Sequence, residues 1–148
     1  MGAVALQSAT WAIPSGPNFE EALARAVALV ERGDGQPLLF DVTADEPTLH
    51  TLEALYTAER EAEWVEFCAE CDKADAELRA EFAMEKFTLA ELDEEEQNVD
   101  RLRRWYRELR GKDHFGAPSA TTADARLKSC AELLEDFAEA VYQARGRP

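Results

Sequence analysis

The chain has 148 residues, 46% of them hydrophobic, so it is long enough to fold around a core without metal or disulfide crosslinks. Its formal charge of −15, from 16 basic and 31 acidic residues, excludes extensive contact with nucleic-acid phosphates and predicts weak or no DNA binding by this chain alone. No apolar run approaches the ~18 residues that a membrane span needs, and three cysteines without a framework spacing indicate a reducing, cytoplasmic location.

The first part of the chain predicts a small head of mixed structure. Two short strands are expected within residues 3–13, with a turn near Gln7 and Ser8. A helix should follow with Asn18 as its N-cap, because a glutamate three residues later completes the spacing of a capping box. The run PLLFDVT at 37–43 predicts a third strand. The apolar residues expected on the buried face of the helix are Phe19, Leu23, Val27 and Val30.

Three longer helices are predicted for the rest of the chain. Glycine and proline are absent over a long stretch, which favours one helix from 48 to 84 and a second from 88 to 110, restarted by a capping box at Thr88 and Glu91. A last helix should begin between 119 and 124 and end at Gly146. Its predicted buried stripe is Leu127, Cys130, Leu134, Phe137 and Val141, and that of the second helix is Val99, Leu102, Tyr106 and Leu109.

The fold class is therefore mainly α with a small α/β head followed by three long helices. We expect a single domain over 1–148, in which residues 1–44 form the head and residues 45–148 form the helical portion.

Cys68 and Cys71 form a C-x-x-C pair that could bind zinc, act as a redox dithiol or pack in the core. A structural zinc site needs four ligands, and neither Cys130 nor the two histidines is paired in sequence. A redox pair gains reactivity at a helix N-terminus, whereas this pair lies well inside the predicted helix. We interpret all three cysteines as core residues and expect neither a metal nor a cofactor.

The second helix changes sign along its length, with acidic residues at its start and basic residues at its end. The pattern complements the helix macrodipole, which is a sufficient structural explanation. Guanidinium groups clustered beside aromatic residues would also suit an oxyanion or an acidic partner. The basic residues relevant to that second interpretation are Arg101, Arg103, Arg104, Arg107, Arg110 and Lys112.

The sequence contains no phosphate-binding glycine loop and no nucleophile elbow, and neither histidine lies in a recognisable catalytic motif. We therefore expect a protein that is not an enzyme. The classes left open are a regulatory or sensing domain, an acidic helical module that binds a partner protein without any small ion, and a metal-binding protein.

Three stretches together resemble the N-terminal domain of ChrB-type chromate-resistance proteins. They are GAVALQSATWAIP, LYTAEREAEWVEF and KFTLAELDEEEQNVDRLRRWYRELRGKDHFGAP. The family has a strand hairpin ending in proline, an R-x-x-E-aromatic motif on a helix, and a late D-aromatic-F loop. The corresponding residues here are Pro14, Arg60, Glu63, Trp64, Asp113, His114 and Phe115, with His114 in place of the usual aromatic residue.

The resemblance implies a cytoplasmic regulator or sensor of the chromate response with an incomplete ferredoxin-like βαβ head. Family members usually have a strand and a helix before this hairpin and a further domain after the helices. We therefore expect exposed strand edges in this chain and, because a second copy can cover them, a homodimer.

The family motif also suggests a site. Arg60 and Glu63 lie one turn apart, and an ion pair joining Arg60 to Asp113 would tie the first long helix to the loop. The resemblance makes chromate the expected oxyanion ligand. The residues expected to hold it are Arg60, Arg103, Arg104, Arg107 and Lys112.

Overall fold

The computed structural model describes residues 2–146 and contains a strand hairpin and four helices. The strands are β1 (Val4–Gln7) and β2 (Thr10–Ala12), and the helices are α1 (Pro17–Arg32), α2 (Glu46–Ala83), α3 (Leu89–Lys112) and α4 (Ala120–Gly146). This confirms the predicted mainly helical fold with a small N-terminal hairpin and three long helices. None of the helices within 2–146 combines the length and apolar character that a bilayer crossing requires.

Helices α2, α3 and α4 form a bundle in which each helix contacts the other two. Short connections at 84–88 and 113–119 make consecutive helices antiparallel, so α2 and α4 run in the same direction. The predicted stripes of α3 and α4 face the interior, as does a stripe of α2. The largest side chains of this core are Trp64, Phe67, Leu78, Leu102, Leu109 and Phe137.

Side-chain caps fix where two of the long helices begin. Asp45 accepts a hydrogen bond from the Thr48 amide at 3.0 Å, and Thr88 accepts one from the Glu91 amide at 3.2 Å. Each cap satisfies an amide that has no partner within the first turn of the helix. The predicted restart of the chain at Thr88 is confirmed.

All three cysteines lie in the core, as predicted. The Cys130 thiol donates to the carbonyl of Cys71 at 3.2 Å and so joins α4 to α2. A hydrogen bond to Cys130, and then burial, raise the pKa of Cys71, and burial raises the pKa of Cys68, while the hydrogen bond with Cys71 lowers the pKa of Cys130. Neutral, buried thiols such as those of Cys68 and Cys71 behave as small hydrophobic residues. Within residues 2–146 no three histidine, cysteine or acidic side chains lie close enough to hold a metal ion.

The prediction of an N-capping box at Asn18 was wrong. The N-cap of helix α1 is Gly16, two residues before Asn18, so the helix begins at Pro17, and no side chain caps it. Proline at the first helical position needs no partner for its nitrogen and has the backbone angle of a helix, so a side-chain cap is less necessary. The expected burial of the α1 face was also wrong, because no residue of α1 is buried and α1 packs against no other helix or strand within 2–146.

The predicted strand at 37–43 is absent. Residues 36–45 belong to no helix or strand, and the two-stranded sheet of β1 and β2 gains no third member within 2–146. An apolar run becomes a strand only when a neighbouring strand satisfies its amides and carbonyls. Here the run lies on the surface without such a neighbour.

A carboxyl cluster lies at the corner between α2 and α3. Lys86 in the connection places its ammonium 3.7 Å from Glu81 of α2 and 3.7 Å from Glu91 of α3. Glu95, one turn further along α3, is only 6% exposed, and one of its carboxylate oxygens has no hydrogen-bond partner among the described residues. A buried carboxylate without full partners is costly in its charged form.

Burial, and next the charge of Glu81, raise the pKa of Glu95 above its usual 4.5. Glu77 and Glu94 add smaller effects in the same direction, and a hydrogen bond from Asn98 opposes them. The folded state therefore binds this proton more tightly than the unfolded state. That contribution to stability is complete below pH 4.5 and is lost as the pH rises through the folded-state pKa.

We predict that Glu95→Gln raises the free energy of unfolding by about 1 kcal/mol at pH 7, because it removes a poorly solvated charge. The difference from the wild-type chain should shrink toward zero as the pH falls below 4.5, where both side chains are neutral. Urea unfolding at a series of pH values measures this. Glu96→Gln, on the exposed side of α3, is the matched control and should change little. A pH-independent difference between Glu95→Gln and wild type would contradict the prediction.

Candidate functional site

The loop at 113–119, between α3 and α4, is fixed to α2 through Asp113. The Asp113 carboxylate accepts a hydrogen bond from the buried indole Nε1 of Trp64 at 3.0 Å. It also accepts hydrogen bonds from the backbone amides of Gly116 and Ala117, each with a donor–acceptor distance of 3.0 Å. One carboxylate thus shapes the loop and attaches it to a helix that is distant in sequence.

Further side chains of the same loop contact α2 and α1. The Glu61 carboxylate of α2 accepts hydrogen bonds from the amide of Ser119, at 2.8 Å, and from the hydroxyl of Ser119, at 2.5 Å. Ser119 immediately precedes α4. A carboxylate at this position stabilises the N-terminus of α4. Phe115 packs against the ring of Tyr56, with ring centroids 5.4 Å apart. The ring of His114 packs edge-on against Phe19 of α1, with ring centroids 4.7 Å apart.

Arg60 lies beside this loop and is only 6% exposed. Its Nε is 2.7 Å from a carboxylate oxygen of Glu63, and its Nη2 is 3.3 Å from Glu59. The contact with Glu63 is an ion pair without hydrogen-bond geometry, since neither Arg60 Nε nor that oxygen has a hydrogen-bond partner among the described residues. The other Glu63 oxygen is 3.9 Å from the ammonium of Lys112 at the end of α3. Glu63 therefore holds one cation from each helix.

Besides Arg60 Nε, whose only contact is the ion pair with Glu63, two buried donors at this site have no hydrogen-bond partner within residues 2–146: the Nη1 of Arg60 and the hydroxyl of Tyr56, one turn earlier on α2. Burial, and next the charge of Glu59, raise the pKa of Tyr56 to about 12, so its hydroxyl keeps its proton at neutral pH. Buried donors without partners are uncommon in folded proteins. We name Tyr56, Arg60, Glu63 and Lys112 together the Arg60 site.

Gly2 closes the Arg60 site on the side of the hairpin. A side chain at Gly2 would lie 3.0 Å from the carbonyl oxygen of Lys112 and 3.3 Å from Nη1 of Arg60, and its φ of +71° also favours glycine. Two residues later, Val4 of β1 is buried where that strand contacts α2. The residues that lead into the N-terminal strand therefore lie against the site.

The structure brings together only some of the residues expected to bind an anion. Arg60 and Lys112 meet at Glu63, whereas Arg103 pairs with Asp100 at 2.9 Å. The nine positions from Arg103 to Lys112 amount to about two and a half helical turns, so these two side chains leave α3 on opposite sides. Arg104 and Arg107 are exposed on α3, with Arg104 on the side turned away from the buried stripe.

The expected ion pair between Arg60 and Asp113 requires a correction. Arg60 pairs with Glu63 and Glu59, and among residues 2–146 Asp113 accepts hydrogen bonds from neutral groups instead. Trp64 donates its hydrogen bond to Asp113 because the indole is fully buried and its N–H needs an acceptor. The charge of Arg60 is balanced by Glu59 and Glu63 on its own helix, which cost little backbone entropy to bring near.

Sequence reasoning missed Tyr56, Glu61, Ser119 and Gly2. Only Tyr56 had a usable signal, since it precedes Arg60 by four residues and so shares its helical face. Ser119 and Glu61 meet across 58 positions of sequence, and nothing in either local pattern indicates the other.

The fold and these contacts define a three-helix-bundle domain with a strand hairpin packed beside a buried arginine. Residues 1–148 match the family model described as Protein ChrB, N-terminal, and the chain belongs to this family of ChrB N-terminal domains. The resemblance identified in the sequence is thereby confirmed. No curated protein and no solved structure matches the chain.

We predict that Asp113→Ala lowers the free energy of unfolding by about 3 kcal/mol, because the buried Trp64 indole and the Ala117 amide both lose their acceptor. Asp113→Asn retains one carbonyl acceptor and should cost less. Chemical denaturation followed by tryptophan fluorescence measures both. Asp100→Ala, which removes an exposed carboxylate, is the control and should cost under about 1 kcal/mol. Equal losses for Asp113→Ala and Asp100→Ala would refute the role assigned to Asp113.

Proposed function

We propose that this chain is a non-catalytic regulatory or sensing domain of the cytoplasmic chromate response, and that the Arg60 site responds to the oxyanion. Membership of the ChrB N-terminal family supports the link to chromate resistance and its transcriptional control. The observation that carries the choice of site is the pair of buried donors without partners, Arg60 Nη1 and the Tyr56 hydroxyl.

Chromate is a tetrahedral dianion, and a guanidinium group can donate two hydrogen bonds to neighbouring oxygens of such an ion. The Tyr56 hydroxyl, which remains protonated, supplies a neutral donor on the same helical face. A dianion bound here would compete with Glu63 for Arg60 and Lys112. Displacement of Glu63 would release its contact across α2 and α3, which is a local change that a regulator can transmit.

Electrostatics oppose the binding of a dianion and make it sensitive to ionic strength. The chain carries a formal charge of −15, so its overall field repels a dianion. Two cations, Arg60 and Lys112, face Glu59 and Glu63, and the site gains net positive character only when a carboxylate moves away. Added salt should therefore weaken binding.

We propose that any effect on transcription passes through another domain or protein. The exposed arginines of α3 are few. Specific DNA binding normally needs several phosphate contacts and an electrostatic field that attracts the phosphates.

A protein-binding module that needs no small ion is the second candidate function. The observation that favours it is the exposed apolar segment between α1 and α2. In that case the acidic helices contribute solubility, and Arg60 has a purely structural role.

Titration calorimetry at ~20 mM ionic strength, where screening is weak, tests the first proposal. Chromate should bind with measurable heat, and sulfate, which has the same shape and charge, should compete. Lys112→Met and Tyr56→Phe should each weaken chromate about tenfold, the effect of losing ~1.4 kcal/mol. Thiol reductants must be left out, since they reduce chromate.

Arg107→Met is the matched control for Lys112→Met, because both remove one positive charge from the last turns of α3. Arg107→Met should leave chromate affinity within about twofold of wild type. If chromate releases no heat, or if the two variants weaken binding equally, the oxyanion does not bind at the Arg60 site.

A further inference from the structure

The segment between α1 and α2 exposes a run of large apolar side chains. Leu38, Leu39, Phe40 and Val42 are each between 61% and 81% exposed. The segment belongs to no helix or strand, so hydrogen bonds of regular secondary structure do not occupy its backbone. Side chains of this type are strongly enriched in strands.

Neighbouring apolar residues enlarge this surface. The chain turns back at Gly35 onto Val30, in the last turns of α1, so the exposed segment is next to the apolar side of that helix. Leu29 and Val30 on α1 are themselves exposed. The exposed apolar area of these residues is on the order of 600 Å² per chain. That is at the upper end of what a monomer usually leaves in water.

The open edge of the hairpin is the complement of this segment. The sheet has two strands, and neither outer edge pairs with a further strand within residues 2–146. Each chain thus offers both an unpaired extended segment and an unpaired strand edge. Two copies related by a two-fold axis can satisfy both requirements at once, since such a contact uses the same surface of each chain.

Area and charge both permit a second copy. Two chains joined through this surface would remove about 1,200 Å² from water, which reaches the lower end of the range for stable interfaces. Arg32 at the end of α1 and Asp41 in the segment carry opposite charges, which can face each other across a two-fold contact. Glu31 and Asp34 keep this surface acidic, so the pairing offsets only part of the repulsion between two acidic chains.

We propose that residues 37–43 bind a second copy of this chain, forming a strand on the edge of its hairpin and covering its α1 face. The occupant is the chain itself because one chain carries both halves of the contact. The proposal does not depend on the Arg60 site binding an anion.

Light scattering on the full chain from ~1 to ~100 μM tests the proposal. The wild-type chain should approach twice 16.5 kDa as concentration rises. Phe40→Asp combined with Val42→Asp should give a mass of one chain throughout, because charges on the apolar segment cannot be buried against a partner. These side chains contact little within one chain, so the helical circular dichroism signal should not change.

Val65→Asp is the matched control, since it places the same charge at an exposed apolar position on α2, and it should keep the wild-type mass. Hydrogen exchange supplies a second measurement: amides of 38–42 should gain protection as concentration rises in the wild type but not in the double variant. A mass of one chain at every concentration would overturn the proposal, including the case in which a different protein covers the segment. A dimer that survives the double substitution, or protection that does not follow concentration, would overturn it as well.

Discussion

The structure depends most on how α2 buries Arg60 and Trp64 at the end of the bundle. A guanidinium that is 6% exposed needs carboxylates within reach, and Glu59 and Glu63 supply them from the same helix. A buried indole needs an acceptor, and Asp113 supplies it from the loop. Because Asp113 also accepts two loop amides, satisfying Trp64 determines the path of the chain from α3 to α4. The position of α4 then follows from Glu61 capping its N-terminus.

Patterns local in sequence could be predicted because local physics decides them. The capping box at Thr88 and the long stretch without glycine or proline were sufficient to place α2 and α3. The strand at 37–43 could not be predicted in this way. A helix satisfies its own backbone, whereas a strand needs a neighbour that strand propensity alone does not provide. The predicted burial of the apolar face of α1 was wrong for the same reason, since an amphipathic face is buried only if another element packs against it.

The contacts of the candidate site also differ in whether local sequence could predict them. Arg60 and Glu63 lie three positions apart on one helix, so their contact could be anticipated from spacing. The contact of Trp64 with Asp113 spans 49 positions, and no local pattern separates it from the alternative of Arg60 with Asp113. The basic residues of α3 illustrate a further limit. Their number indicated an anion site, but the helical turn sends Arg103 and Lys112 in opposite directions. The number of charged residues on a helix does not show which way their side chains point until the helix has been placed against its neighbours.

The Arg60 site and the exposed head are physically connected through β1. Gly2 lies against Nη1 of Arg60, and Val4, two residues later at the start of β1, is buried where β1 contacts α2. Movement of Arg60 would therefore be felt by the residues that lead into β1, whose hairpin carries the open edge. If an oxyanion binds at the first place and a second copy at the other, any effect of one on the affinity of the other has an equal reciprocal effect, since linkage between two binding equilibria is reciprocal. The short path from Arg60 through Gly2 to β1 supplies the contact that such coupling requires, and a sensing domain could use it to convert an ion concentration into a state of assembly.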